Sequence, residues 1–246
     1  MMEKLMEKNA VRHAVIWIVM YVLLVNVGAM ISEKVGALDL VTSEFVILFS
    51  FLLLGYLKRN HWFEKFGLKK ITKADTQKTL LYLPLAVLAL LQFAGGIKSS
   101  ISLFAILISC LMMIGVGFVE ELLFRGFLLD AIWKKSGMRR AILISGIAFG
   151  LGHIVNLFRG YGYLEQAGQI VVAGGIGIVL ALLVVITKNI VPGILFHIVF
   201  NISGSITNEA SGNQKLYTLI VILVICIGYA LYLATNLKDN KTIRQF

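Results

Sequence analysis

Gly117-Phe118-Val119-Glu120-Glu121-Leu122-Leu123-Phe124-Arg125-Gly126 is the stretch that decides how this chain is read. Two adjacent carboxylates and an arginine stand inside a run that is otherwise apolar from Ile101 to Leu129. A single charge at a bilayer centre costs roughly 2.5–3.5 kcal/mol even on the lower scales, so such residues are paired, face a polar cavity or do chemistry. Three more polar residues, His153, His197 and Asn201, lie in later apolar segments. These positions are expected to form one buried site.

The surrounding composition is that of a membrane protein. Of the 246 residues 59% are hydrophobic and 15% charged, against about 45–50% and about 25% in a soluble domain. No Pro-, Ser- or Gly-rich linker and no internal repeat divides the chain, so residues 1–246 read as a single integral-membrane domain. The net charge of +10 would suggest nucleic acid in a soluble protein. Here the basic residues fall between apolar segments, which points to topology and anionic lipid headgroups and away from nucleic acid. Cys110 and Cys226 both lie in apolar runs and read as small buried hydrophobes, not as a disulfide or a zinc cluster. The apolar run after Arg12 is too long for a secretory h-region and reads as an uncleaved first span.

A membrane span needs about 17–25 apolar residues. That ruler gives about eight spans, near 13–32, 41–57, 80–95, 102–130, 141–157, 168–187, 190–206 and 216–236, an all-α polytopic bundle. With the N-terminus inside, the outer segments hold only Lys34, Lys98, Arg159 and Lys215, and every other Lys and Arg outside the spans is cytoplasmic. The positive-inside rule then places both termini in the cytoplasm. Between spans two and three, Trp62, Phe63, Phe66, Leu68 and Ile71 interleave with Lys65, Lys69, Lys70 and Lys73. This segment is either an interfacial helix on the inner leaflet or a basic loop with incidental aromatics. Gly146 and Gly150, then Gly174, Gly175 and Gly177, suit close helix packing, and a phosphate loop fails for want of a strand and a lysine.

On a regular helix Glu120 and Glu121 point about 100° apart, so they cannot share one role. Glu121 and Arg125 stand at i, i+4, the spacing at which a Glu pairs best with a following cation. Glu120 is then free to face another wall, where desolvation suits a general base. The plainer alternative is that the three charges only satisfy one another. His197 and Asn201 share a helix face and can both donate, as an oxyanion hole requires, although two polar residues can also simply bind helices together. His153, at the end of Phe149-Gly-Leu-Gly-His153, lies well inside span five. By these boundaries it sits about 7 Å deeper than Glu120 and His197. His13 and His61 fall at span boundaries and look bland. No G-x-S-x-G occurs. Zinc held by Glu120, His153 and His197 is a minority alternative without the H-E-x-x-H helix.

Glu-Glu-x-x-x-Arg (Glu120, Glu121, Arg125), Phe-x-x-x-His (Phe149, His153) and His-x-x-x-Asn (His197, Asn201), in that order, resemble the motifs of the CPBP family of intramembrane proteases. This is also called the type II CAAX prenyl endopeptidase or Abi family. The likeness runs from about Gly115 to Gly204, with a further echo in Phe66-Gly-Leu-Lys-Lys. It implies an endopeptidase in which Glu120, with His153, activates water, while His197 and Asn201 hold the oxyanion. Glu121 and Arg125 would orient the helix and carboxylate, and no metal or other cofactor is implied. The substrate would be a peptide or protein, with or without a lipid anchor, entering from the inner leaflet or the cytoplasm. Peptide maturation and self-immunity to bacteriocins are roles the resemblance suggests, in the cytoplasmic membrane of a prokaryote, which short loops and small size also fit. The competing class is a non-catalytic transporter or binding-type immunity factor, for intramembrane charges also mark ion pathways. The inverted repeats common in transporters are not visible.

Overall fold

The computed structural model describes residues 2–159, 162–208 and 212–239, and these are helical apart from connecting segments and one isolated antiparallel bridge, Ile97 to Thr207. A short α1 (Met2–Lys8) leads into α2 (Ala10–Val35), which pairs with α3 (Leu40–Asn60). After α4 (Thr76–Thr79) and α5 (Leu83–Leu91) comes α6 (Leu103–Glu120), which continues through a π-helical stretch, Glu121–Leu128, into α7 (Leu129–Ser136). The chain closes with α8 (Met138–Gly152), α9 (Tyr163–Thr187), α10 (Val191–Ile206) and α11 (Gly212–Asp239). Among the described residues seven helical stretches are long and apolar enough to cross a membrane, and α10 is a shorter apolar eighth. All eight coincide with the expected spans. Sixteen residues of α10 cover only about 24 Å, less than a hydrocarbon core of about 30 Å. The continuous helix Leu103–Ser136 overshoots that thickness, so its α7 end extends beyond the apolar run.

Glycines let three helix pairs approach to backbone contact. A Cβ on Gly150 would stand 2.6 Å from the Ile170 carbonyl oxygen and one on Gly146 2.7 Å from the Ile178 nitrogen, which fixes α8 against α9 as their spacing predicts. At Gly28 a Cβ would meet the Thr42 Cα at 2.9 Å, locking α2 to α3. Gly117 brings α6 onto α10, where a Cβ would stand 2.7 Å from Ile198 Cγ1.

The helix ends sort onto two faces. Arg59 pairs with Glu3 at 3.5 Å, so the start of α1 meets the end of α3. Ile190 N donates to Gly67 O at 2.8 Å, bringing the α9–α10 turn to the same face. The loop Gly36–Asp39, the Ile97–Thr207 bridge and the start of α9 lie at the other end of the bundle. Lysine and arginine concentrate on the first face, called here the basic face; Lys241 and Arg244, expected there too, lie outside the described residues.

The segment after α3 is not an interfacial helix. It is irregular chain with two 3-10 turns, Glu64–Phe66 and Lys73–Asp75, and the first of them turns inward. Phe66 is buried, edge-on to Phe127 with ring centroids 4.6 Å apart. Gly67 ends the turn at φ +78, a conformation glycine takes without steric cost. The aromatics interleaved with lysine are thus partly core anchors. His13 is likewise not bland: it is fully buried and its Nε2 accepts from Trp17 Nε1 at 3.0 Å.

Candidate active site

The π-helical stretch begins one residue after Glu120. Its last bond, Leu129 N to Phe124 O, spans five residues instead of four. Such insertions are rare and recur at functional sites. The Phe124 carbonyl also accepts from Ser145 Oγ at 2.8 Å, which accounts for a fully buried serine on α8.

The two carboxylates diverge as their adjacency predicts. Glu121 is completely buried: Oε1 is 2.9 Å from Arg125 Nη1 and 3.1 Å from His197 Nδ1. Glycine at 193 makes room for it, since a Cβ there would stand 3.2 Å from Glu121 Oε2. Arg125 is 2% exposed, and its guanidinium carbon lies 4.2 Å from the Phe149 ring centroid. Phe149 is also edge-on to Phe124, His153 and His197, at 5.3, 5.4 and 5.6 Å. One aromatic ring therefore spaces the arginine from both histidines.

Glu120 keeps 13% side-chain exposure. Its Oε1 accepts from Tyr21 Oη at 3.0 Å, and its Oε2 lies 3.4 Å from His197 Nε2. His197 thus bridges the two glutamates, one ring nitrogen toward each. Glu120, His153 and Asn201 line one cavity of about 1000 Å³, shared with Tyr21, Gln169 and Phe200. A smaller pocket of about 120 Å³ brings His197 and Phe149 up to His153 and Asn201. The structure so draws Glu120, Glu121, Arg125, Phe149, His153, His197 and Asn201 into one region of the bundle. Among the described residues no group of three His, Cys, Asp or Glu side chains is spaced to hold a metal ion.

His153 stands inside span five, Met138–Asn156, near the end away from the basic face, where it caps the α-helix at Gly152 and starts a 3-10 stretch, His153–Arg159. Its carbonyl accepts from Gln166 Nε2 at 2.7 Å, tying this turn to α9. The cavity, moreover, runs from Glu120 toward Glu33, Asp39, Asn156 and Ser205, the helix ends opposite the basic face.

Tyr21 was not legible, because a tyrosine in an apolar first span carries no spacing signal. Gln92 is a second such residue: Nε2 donates to Phe200 O at 2.8 Å, one residue before Asn201. Gln166 and Gln169, three apart at the start of α9, are polar residues whose spacing marks a common face.

A family described as Rce1-like, type II CAAX prenyl endopeptidase Rce1-like, has a model that matches residues 101–203. No curated protein and no solved structure matches the chain.

Proposed function

We propose, from the match of residues 101–203 to the Rce1-like family of type II CAAX prenyl endopeptidases, that this multi-pass intramembrane peptidase uses Glu120 as its general base. The observation that carries the reading is the division of labour between neighbours. Glu121 is held by Arg125 and His197, whereas Glu120 faces the large cavity.

In this reading a water between Glu120 and His153 attacks the scissile carbonyl, and Glu120 takes its proton. The carbonyl oxygen becomes an oxyanion, which His197 Nε2–H and Asn201 Nδ2–H hold. The His197 ring is held in place from both sides, Nδ1 3.1 Å from Glu121 and Nε2 3.4 Å from Glu120. Glu120 then passes its proton to the leaving amine as the C–N bond breaks. Tyr21 orients the carboxylate through the other oxygen.

The side of access follows from the cavity and the charge distribution together. If the basic face is cytoplasmic, the site opens outward, toward exported or externally exposed peptide segments. That geometry favours maturation or degradation of peptides beyond the cytoplasmic membrane, including self-immunity to bacteriocins, over trimming of cytoplasmic tails. Lipidation of the substrate is compatible with it, because the cavity lies among apolar helices.

The test is cleavage of a quenched-fluorescence peptide library, with plain and lipidated C-termini, by purified protein. Wild type is expected to cut and His197→Ala to fail while still folded. A transporter or binding-type immunity factor would instead retain its cellular phenotype in His197→Ala, and that result would sink the catalytic reading.

A further inference from the structure

A second cavity, of about 630 Å³, opens on the basic face and is separate from the proposed peptidase cavity. Lys65, Lys69, Lys134 and Lys188 line it, and its wall includes Arg125 and Trp133. Two acidic residues, Glu64 and Asp130, also line it, and Asp130 is taken by Lys134 at 2.8 Å. Lys65, Lys69 and Lys188 therefore outnumber the remaining carboxylate.

Their convergence is built by the backbone. Asn189 Nδ2 donates to Lys69 O at 3.0 Å and Ile190 N to Gly67 O at 2.8 Å, joining segments more than 100 residues apart. Lys188 sits at φ +56, a left-handed position rare for a residue with a side chain. Aromatic faces hold two of the ammonium groups: Lys188 Nζ is 3.7 Å from the Trp133 ring centroid and Lys65 Nζ 4.2 Å from that of Trp62. Burial, then the Lys69 charge, holds the Lys188 ammonium below its usual range, and burial, then Lys134, does the same at Lys65. An anion between them opposes both effects.

We propose that this cavity is a binding site for a phosphate group, read by Lys65, Lys69 and Lys188. Phosphate offers several acceptor oxygens to converging point charges, which suits lysine. The group belongs either to an anionic phospholipid headgroup or to free phosphate.

Trp62 and Trp133 make the test direct, because a ligand that draws Lys65 or Lys188 away alters their emission. The protein is reconstituted in zwitterionic nanodiscs and titrated with inorganic phosphate, and in parallel compared across nanodiscs of rising phosphatidylglycerol content. A saturable fluorescence change is expected. Response to phosphate alone identifies the free anion, and response only to phosphatidylglycerol identifies the headgroup. The Lys65→Gln/Lys69→Gln/Lys188→Gln protein should bind at least about tenfold more weakly, the size of one charge-assisted hydrogen bond. Lys65→Arg/Lys69→Arg/Lys188→Arg should retain binding, which separates lost charge from lost fold. Lys58→Gln/Lys135→Gln, on the same face outside the cavity, should bind as wild type does. The proposal fails if neither probe gives saturation, if the Lys58/Lys135 variant weakens as much as the glutamine triple, or if the arginine triple does not bind.

Discussion

Replacing Arg125 by methionine tests whether the buried charges act as a paired unit. Arg125 Nη1 and Glu121 Oε1 are 2.9 Å apart and both side chains are fully enclosed. Methionine keeps much of the volume and removes the cation, leaving Glu121 its 3.1 Å contact with His197 Nδ1. Breaking one side of such a pair costs about 3–5 kcal/mol, because a buried charge is stranded. Loss of the guanidinium from the Phe149 face removes up to about 2 kcal/mol more. Adding Glu121→Gln removes the stranded charge, so the double variant should recover most of the loss, a coupling readable in a double-mutant cycle. Reversible unfolding in mixed detergent micelles, followed by tryptophan fluorescence, measures all three proteins against wild type. A single-variant cost below about 1 kcal/mol, as for an exposed pair, would refute the reasoning. A double variant no more stable than Arg125→Met would refute it equally.

Three further outcomes follow from the same geometry. Tyr21→Phe deletes the 3.0 Å bond to Glu120 Oε1 and should lower kcat about tenfold or more, the worth of one hydrogen bond to a charged group, with KM little changed; an unaltered kcat in peptide cleavage would remove Tyr21 from the site. Gly150→Val pushes a side chain into the Ile170 carbonyl and the Gly174 backbone and should destabilise the bundle by about 3 kcal/mol or more, read as a lowered unfolding midpoint. In a Cys110→Ser/Cys226→Ser background, Asp39→Cys should react with a membrane-impermeant maleimide in intact cells and Lys69→Cys only after permeabilisation. The reverse pattern would place the large cavity on the cytoplasmic side.

Much of this arrangement could be read from the chain because membranes make polarity informative. Eight apolar runs, the Glu121–Arg125 pair and the Gly146–Gly150 contact each follow from one rule of length or spacing, and all three appear in the structure. What stayed hidden depends on tertiary contact. The π-helical turn after Glu120 has no local sequence signal, since the bonds that settle it come from Ser145 and the packing around Phe124. The lysines around Phe66 left an interfacial helix and a basic loop both open, and what decides is tertiary: the Phe66 ring packs edge-on to Phe127, with Gly126 close against the Phe66 backbone.

The account rests on Glu120 as the base, and one experiment addresses it most directly. Purified wild-type and Glu120→Gln proteins are compared in peptide cleavage, each with and without a strong chelator. The change keeps the shape and the Tyr21 hydrogen bond while removing the basic carboxylate. Cleavage that survives chelation in wild type and disappears in Glu120→Gln, with an unchanged unfolding midpoint, is the predicted result. Normal cleavage by Glu120→Gln, or wild-type cleavage abolished by chelator and restored by zinc, would contradict it.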